Sequence, residues 1–265
     1  MPDSTPDSVR VVLAAHLPDL IRDGARAALL VGSYARGVAQ PHADIDLIVI
    51  GDGPPYRLQR AEAHLLSISW RTPDELRTEM HSPPACAATV PGLRAARHLH
   101  DPDGIAQMLQ QEALAWTWQS VGDDALDDWV AAAISGYAEE VQKLVGATMA
   151  GDRRKQTIQR SILALRLAIP LAVHLRLLYA SEDHLWSLVD AGMGAAWQRA
   201  QAVALGEGTE SVVHSSPEFD AQAAAAGELF VLACRRIDAL FDAQQRAVVA
   251  HAIRLLDDAG LRLTD

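Results

Sequence analysis

Two apolar runs, Ala27–Val31 and Ile45–Ile50, are too short for helices, and each ends in glycine, the first at Gly32-Ser33 and the second at Gly51-Asp52-Gly53. They predict two buried strands joined by a segment in which 34–39 has room only for a short helix before Gln40-Pro41-His42 breaks it. Upstream, Val9, Val12, Leu13, Leu17, Leu20 and Ile21 recur at helical spacing and predict an amphipathic helix over 8–21 that stops at Asp23-Gly24. Downstream, strands are expected at 65–70 and 94–99. Thr72 as N-cap and Pro73 at the first helical position open a helix between them. The turn His100-Asp101-Pro102-Asp103-Gly104 launches another helix over 105–118.

Beyond Gly122 the strand signals stop. Helical patterns follow over 123–149, 152–179, 183–205, 217–234 and 235–261, with a kink expected near Pro170. The fold class read from this order is α+β: a small mixed sheet with flanking helices over 1–121, then an all-α helical bundle over 122–265. Trp116, Trp118, Trp129, Trp186 and Trp197 fall on the expected helices and read as core, whereas Trp70, beside Ser69, is placed to border a ligand pocket.

The chemistry sits between the two first strands. Gly32 lets the backbone approach a phosphate without a β-carbon in the way, and Ser33 adds a hydroxyl and an amide at the start of a short helix, where anions bind. Asp44 and Asp46 are two apart on a strand pattern, so both face the same side while Ile45 turns into the core. Two carboxylates on one face suit Mg²⁺, a hard ion that takes carboxylate and phosphate oxygens and keeps several waters. Arg36 reads either as a phosphate contact or as an exposed ion pair, and His42 as a turn residue.

The stretch Gly32-Ser33-Tyr34-Ala35-Arg36-Gly37 followed by Asp44-Ile45-Asp46-Leu47 resembles the signature of the polymerase-β-like nucleotidyltransferase superfamily. The resemblance covers about the first 118 residues, including the strand at 65–70 and the turn from His100 to Gly104. The helical half resembles the kanamycin-type antibiotic nucleotidyltransferases by helical character alone. The resemblance implies a nucleotidyltransferase sheet in which Asp44 and Asp46 hold one or two Mg²⁺ ions and act in catalysis. Ser33 and neighbouring amides would hold the β and γ phosphates of ATP or another nucleoside triphosphate, and an acceptor hydroxyl would attack the α phosphate.

The family usually carries a third carboxylate on the central strand, at the position of Ser67 here. Ser67 and Ser69 share a face and can line a nucleotide pocket, but serine supplies neither the charge nor a base at neutral pH. Glu62, five residues upstream, has the wrong strand parity. The helical half offers other acids for an acceptor site, Asp123 and Asp127 in one cluster and Glu140 beside Glu139 in another. For these, helix-dipole placement and pairing with Lys143 are the competing readings. Arg153-Arg154-Lys155 follow Asp152 at a helix start, where positive charge opposes the dipole, and read as a solvated helix start or as one compensated by another acid or a phosphate.

A net charge of −11 argues against wrapping a long nucleic acid and fits a cationic small-molecule acceptor such as an aminoglycoside. Cys86 and Cys234 have no ligand-like spacing, which favours a reducing cytoplasm. The start Met1-Pro2-Asp3-Ser4 lacks the basic region of an export signal, and Arg166, Pro170, His174 and Arg176 interrupt the most apolar run, so no membrane span is expected. The function expected is Mg-dependent transfer of a nucleoside monophosphate to a hydroxyl of a small molecule. The alternatives are a nucleotide-binding relative with weak or no catalysis, and a protein-adenylylating regulator of toxin-antitoxin type. A homodimer is compatible with the helices, although no heptad run marks one.

Overall fold

The computed structural model describes residues 6–207 and 216–261, with the side chains of 216–219 outside that description. The reading of Met1 to Ser4 therefore falls outside the described residues. The chain divides into two compact units, the first made of residues 1–121 together with Leu178–Ser181, the second of Gly122–Leu177 and the remainder from Glu182.

The first unit contains α1 (Asp7–Arg22), β1 (Ala27–Val31), α2 (Gly32–Arg36), β2 (Ile45–Ile50), β3 (Tyr56–Ala61), β4 (His64–Arg71), α3 (Pro73–Met80), α4 (Pro83–Arg94), β5 (Arg97–His100) and α5 (Ile105–Ala115). Its five strands form one mixed sheet in the order β3-β4-β2-β1-β5, with β2 and β4 parallel and the other neighbours antiparallel. Alternation sends Ile45, Leu47, Val49, Leu66, Ile68 and Trp70 to one face, under Val9, Val12 and Leu20 of α1. Ala27, Leu29 and Ile50 face the other way, beneath Leu76, Val90, Leu93 and Leu109 of α3, α4 and α5.

Two elements differ from the sequence expectation. β3 is an additional edge strand, joined to β4 through Glu62-Ala63, and Glu62 has a left-handed φ of 53° in that turn. Glu62 is thus off the strand altogether. The other addition is α4, which begins at Pro83-Pro84 and carries Pro91 inside, so that Arg94 closes a helix and β5 starts three residues later than expected. Prolines in a first helical turn remove only N–H groups that have no intrahelical partner. Pro91 does cost a bond: it cannot donate to the carbonyl of Ala87, and the N–H of Tyr179 takes that place at 2.9 Å.

The second unit is helical throughout: α6 (Asp123–Gly136), α7 (Ala138–Met149), α8 (Arg153–Arg166), α9 (Ala168–His174), α10 (Glu182–Met193), α11 (Ala195–Leu205), α12 (Ser216–Arg236) and α13 (Ala243–Asp258). The five long patterns read from sequence are cut into shorter pieces at Tyr137, Leu167 and Gly194. The break at Leu167 follows from Pro170, whose ring displaces the carbonyl of Arg166 four residues earlier. The final pair divides at 237–242 rather than at Arg235, because Asp242 caps α13 by accepting from the N–H of Gln245 at 2.7 Å. Asp152 likewise accepts from the N–H of Lys155 and pairs with its ammonium at 3.5 Å, so the acid already next in sequence meets this basic helix start. Cys86 and Cys234 are both buried and free. No helix among the described residues is long and apolar enough to cross a membrane.

Candidate functional site

β1 delivers Val31 opposite Asp46 of β2, and the next residue, Gly32, turns sharply into α2 with φ 68°. The glycine is required on two counts. A left-handed φ disfavours any side chain, and a β-carbon here would overlap Oδ2 of Asp46 and sit 3.1 Å from its Cγ. The carboxylate of Asp46 therefore lies directly on the backbone that begins α2. Ser33 follows in the first turn of this helix, partly buried. Gly37, at φ 74°, closes the helix after Arg36.

Asp44 is exposed and sits one residue before β2 begins, not on the strand as expected, yet its charge still reaches Asp46. On the other side Ser67 of β4 pairs in register with Asp46 and donates its hydroxyl to the carboxylate. Burial, then the charge of Asp44, push Asp46 from the ordinary 3.8 up to about 6, while the Ser67 hydrogen bond and the Arg36 charge pull it back. Arg36 itself donates to the carbonyl of Ala180 at 3.0 Å. Arg97, from β5, holds α2 in place by donating to the carbonyl of Ala35 at 2.7 Å.

Gly32, Arg36, Asp44, Asp46 and Ser67 thus converge, with Ser33 next in chain to Gly32. Two mutually repelling carboxylates, one of them half-buried and held by a single hydroxyl, form a donor set that a hard divalent cation would neutralise. Asp44 and Asp46 are the residues that would hold such a cation. No group of three or more acidic, histidine or cysteine residues suited to a metal occurs among the described residues, so a second ion would lack a third protein carboxylate.

The acceptor-site candidates lie in the second unit with partners of their own. Asp123 and Asp127 both accept from Arg176, at 2.9 and 3.2 Å. Glu140 accepts from Lys143 at 3.1 Å, and Glu139 pairs with the same ammonium. Trp70 has the opposite parity to Ser67 and Ser69, so its ring is buried against Gly53 and Gly51 on the α1 side and does not border the Asp46 face. His42 occupies an exposed turn with φ 69°.

The face of Asp46 continues into a recess of about 230 Å³ that includes Ser67 and Ser69, the two serines expected to line a pocket, and extends beyond them to residues the sequence did not single out. It is bordered by Val31, Ile48, Ser67, Ser69, Arg71 and Glu79. Arg71 shares the parity of the two serines, and that was the available signal. Nothing local pointed to Glu79, which α3 brings back over the strand so that its carboxylate accepts from Arg71 Nε at 2.8 Å and from the Thr89 hydroxyl at 3.2 Å.

Residues 20–82 match the family model described as a nucleotidyltransferase domain, a span that includes the glycine turn, both aspartates, Ser67 and Glu79. The match supports nucleotidyl transfer in general terms. It ends before the helical half, and the kanamycin-type likeness of that half is not confirmed by it. No curated protein matches the chain. Among solved structures, a nucleotidyltransferase-like protein from Exiguobacterium sibiricum 255-15 is similar at 8% identity and a TM-score of 0.45, covering 93% of this chain and 87% of that one.

Proposed function

We propose that the protein is a Mg-dependent nucleotidyltransferase that moves a nucleoside monophosphate, AMP from ATP in the simplest case, to a hydroxyl of a small cationic molecule such as an aminoglycoside. The observation that carries this reading is the seating of the Asp46 carboxylate against the Gly32 turn, with Asp44 alongside. That arrangement sets a metal-binding acid beside a phosphate-binding backbone. The bound Mg²⁺ would supply charge neutralisation on the phosphates. Gly32 and Ser33 hold the β and γ phosphates, and Arg36 adds positive charge on the same side. The acceptor oxygen forms a bond to the α phosphorus, the bond from that phosphorus to the bridging oxygen breaks, pyrophosphate leaves and the hydroxyl proton passes to solvent. The net charge of −11 favours a polycationic acceptor.

The test is pyrophosphate release from Mg-ATP across a panel of aminoglycosides, repeated with Asp44→Asn and Asp46→Asn. Turnover that either variant abolishes supports the reading. No turnover with any antibiotic sinks the aminoglycoside acceptor.

Ser67 favours a second reading, a nucleotide-binding protein with little catalysis. A hydroxyl donating to Asp46 occupies the place from which a third carboxylate would complete the metal shell and take the acceptor proton. Calorimetry showing tight Mg-ATP binding, without product from any acceptor, would support it.

A further inference from the structure

The recess beside Asp46 lies where the sheet would otherwise be covered. Most of this face is sealed by α3, α4 and α5, but along β4 the inward positions are Ser67 and Ser69, whose small side chains leave space that a branched residue would fill. Val31 and Ile48 give the recess an apolar flank, and its far end is closed by the Arg71–Glu79 pair. At about 230 Å³ it is smaller than the roughly 300–1,000 Å³ that encloses a drug-sized ligand, so it admits one ring system and not a whole aminoglycoside.

Its position relative to the phosphate turn decides which ring. Gly32 lies on the β1 side of Asp46 and Ser67 on the β4 side, so a triphosphate held at Gly32–Ser33 has its nucleoside arm free to extend over β4. From Ser67 to Arg71 the strand advances four residues, about 13 Å at the usual rise, a distance suited to the ribose and base beyond an α phosphate. The end of the recess then offers a donor and an acceptor side by side. Glu79 has lone pairs beyond those used by Arg71 and Thr89, and Arg71, whose Nε goes to Glu79 and whose Nη1 goes to the carbonyls of Pro55 and Trp70, keeps the two N–H groups of Nη2 for a ligand.

Resting on the nucleotidyltransferase reading above, we propose that this recess is the nucleobase site, with Glu79 accepting from an exocyclic amine and Arg71 donating to the neighbouring ring nitrogen. The base selected is one with an amine beside a ring acceptor, as in adenine, over uracil. Val31 and Ile48 flank the ring, and Ser67 and Ser69 form the floor.

Calorimetry with Mg-ATP, Mg-UTP and Mg-tripolyphosphate separates the outcomes. Wild-type protein binds ATP more tightly than UTP or tripolyphosphate. Glu79→Gln loses roughly tenfold or more in ATP affinity, the scale of a lost hydrogen bond to a charged group, and narrows the preference over UTP. Its tripolyphosphate affinity stays within about twofold of wild type, because the phosphate turn is untouched. Ser69→Leu fills the recess while leaving the ion pair in place, and gives the same pattern. Equal losses for ATP and tripolyphosphate, or ATP affinity unchanged in both variants, would overturn the base site while leaving nucleotide binding intact. A wild-type protein that binds neither ligand overturns the nucleotide reading and this inference with it.

Discussion

Gly32 and Asp46 are packed so closely that a single β-carbon on residue 32 would displace the carboxylate from its place. Gly32→Ala is therefore expected to act twice. The left-handed backbone costs about 1–2 kcal/mol, and the shifted Asp46 weakens binding of Mg-tripolyphosphate. Thermal unfolding measures the first effect and calorimetry the second. An alanine variant with wild-type affinity would show that Asp46 does not depend on this contact.

The pH dependence of stability follows from Asp46. Its carboxyl is raised from 3.8 to about 6 in the folded protein, so the folded state holds a proton that the unfolded chain releases. The resulting stabilisation is full below 3.8 and is lost as pH rises through about 6. Without metal, Asp46→Asn should raise the Tm over wild type more at about pH 7.5 than at about pH 4.5. Mg²⁺ at the higher pH should raise the wild-type Tm and leave the variant nearly unchanged. A constant gap between the two proteins would refute the assignment.

Ser67 can be turned into the missing acid. Ser67→Asp replaces a donor to Asp46 with a second charge, which should lower the metal-free Tm near neutral pH and push Asp46 still higher. Mg²⁺ should then bind more tightly than in wild type, because three carboxylates share it. Magnesium titration followed by Tm reads both, and equal Mg²⁺ affinity in the two proteins would count against a metal at this position.

The acids of the second unit should behave as ordinary ion-pair members. Asp127→Asn breaks one contact to Arg176, and Glu140→Gln one to Lys143. The first is expected to cost under about 1 kcal/mol, the usual scale for an accessible pair, whereas Glu140→Gln, which removes charge from a carboxylate with one buried and unbonded oxygen, should cost no more than that, with Mg-ATP affinity unchanged within about twofold in both. Chemical denaturation and calorimetry check the two parts. A raised acceptor KM at unchanged kcat would instead assign either acid to the acceptor.

The parts of the site that were legible in sequence are those fixed by neighbours in the chain. Alternation and branched residues located β2, and a glycine at a strand end located the turn into α2. β3 escaped because both its faces are largely open, so Tyr56, Arg57, Leu58 and Gln59 carry no buried stripe. α4 escaped because its prolines resemble breakers until their places in the helix are known. The Arg71–Glu79 pair is tertiary: the turn between β4 and α3 sets which helical residue returns to the strand, and periodicity carries no trace of it.

Pro91 gives the first unit a dependence on distant chain. The carbonyl of Ala87 that it leaves unbonded is taken by Tyr179, and the adjacent carbonyl of Ala180 receives Arg36, whose charge acts on Asp46. A fragment ending at Val121 would keep every strand and both aspartates, yet lose the residues that steady Arg36. The first unit is consequently not a portable cassette, since four of its residues are encoded more than fifty positions downstream of the rest.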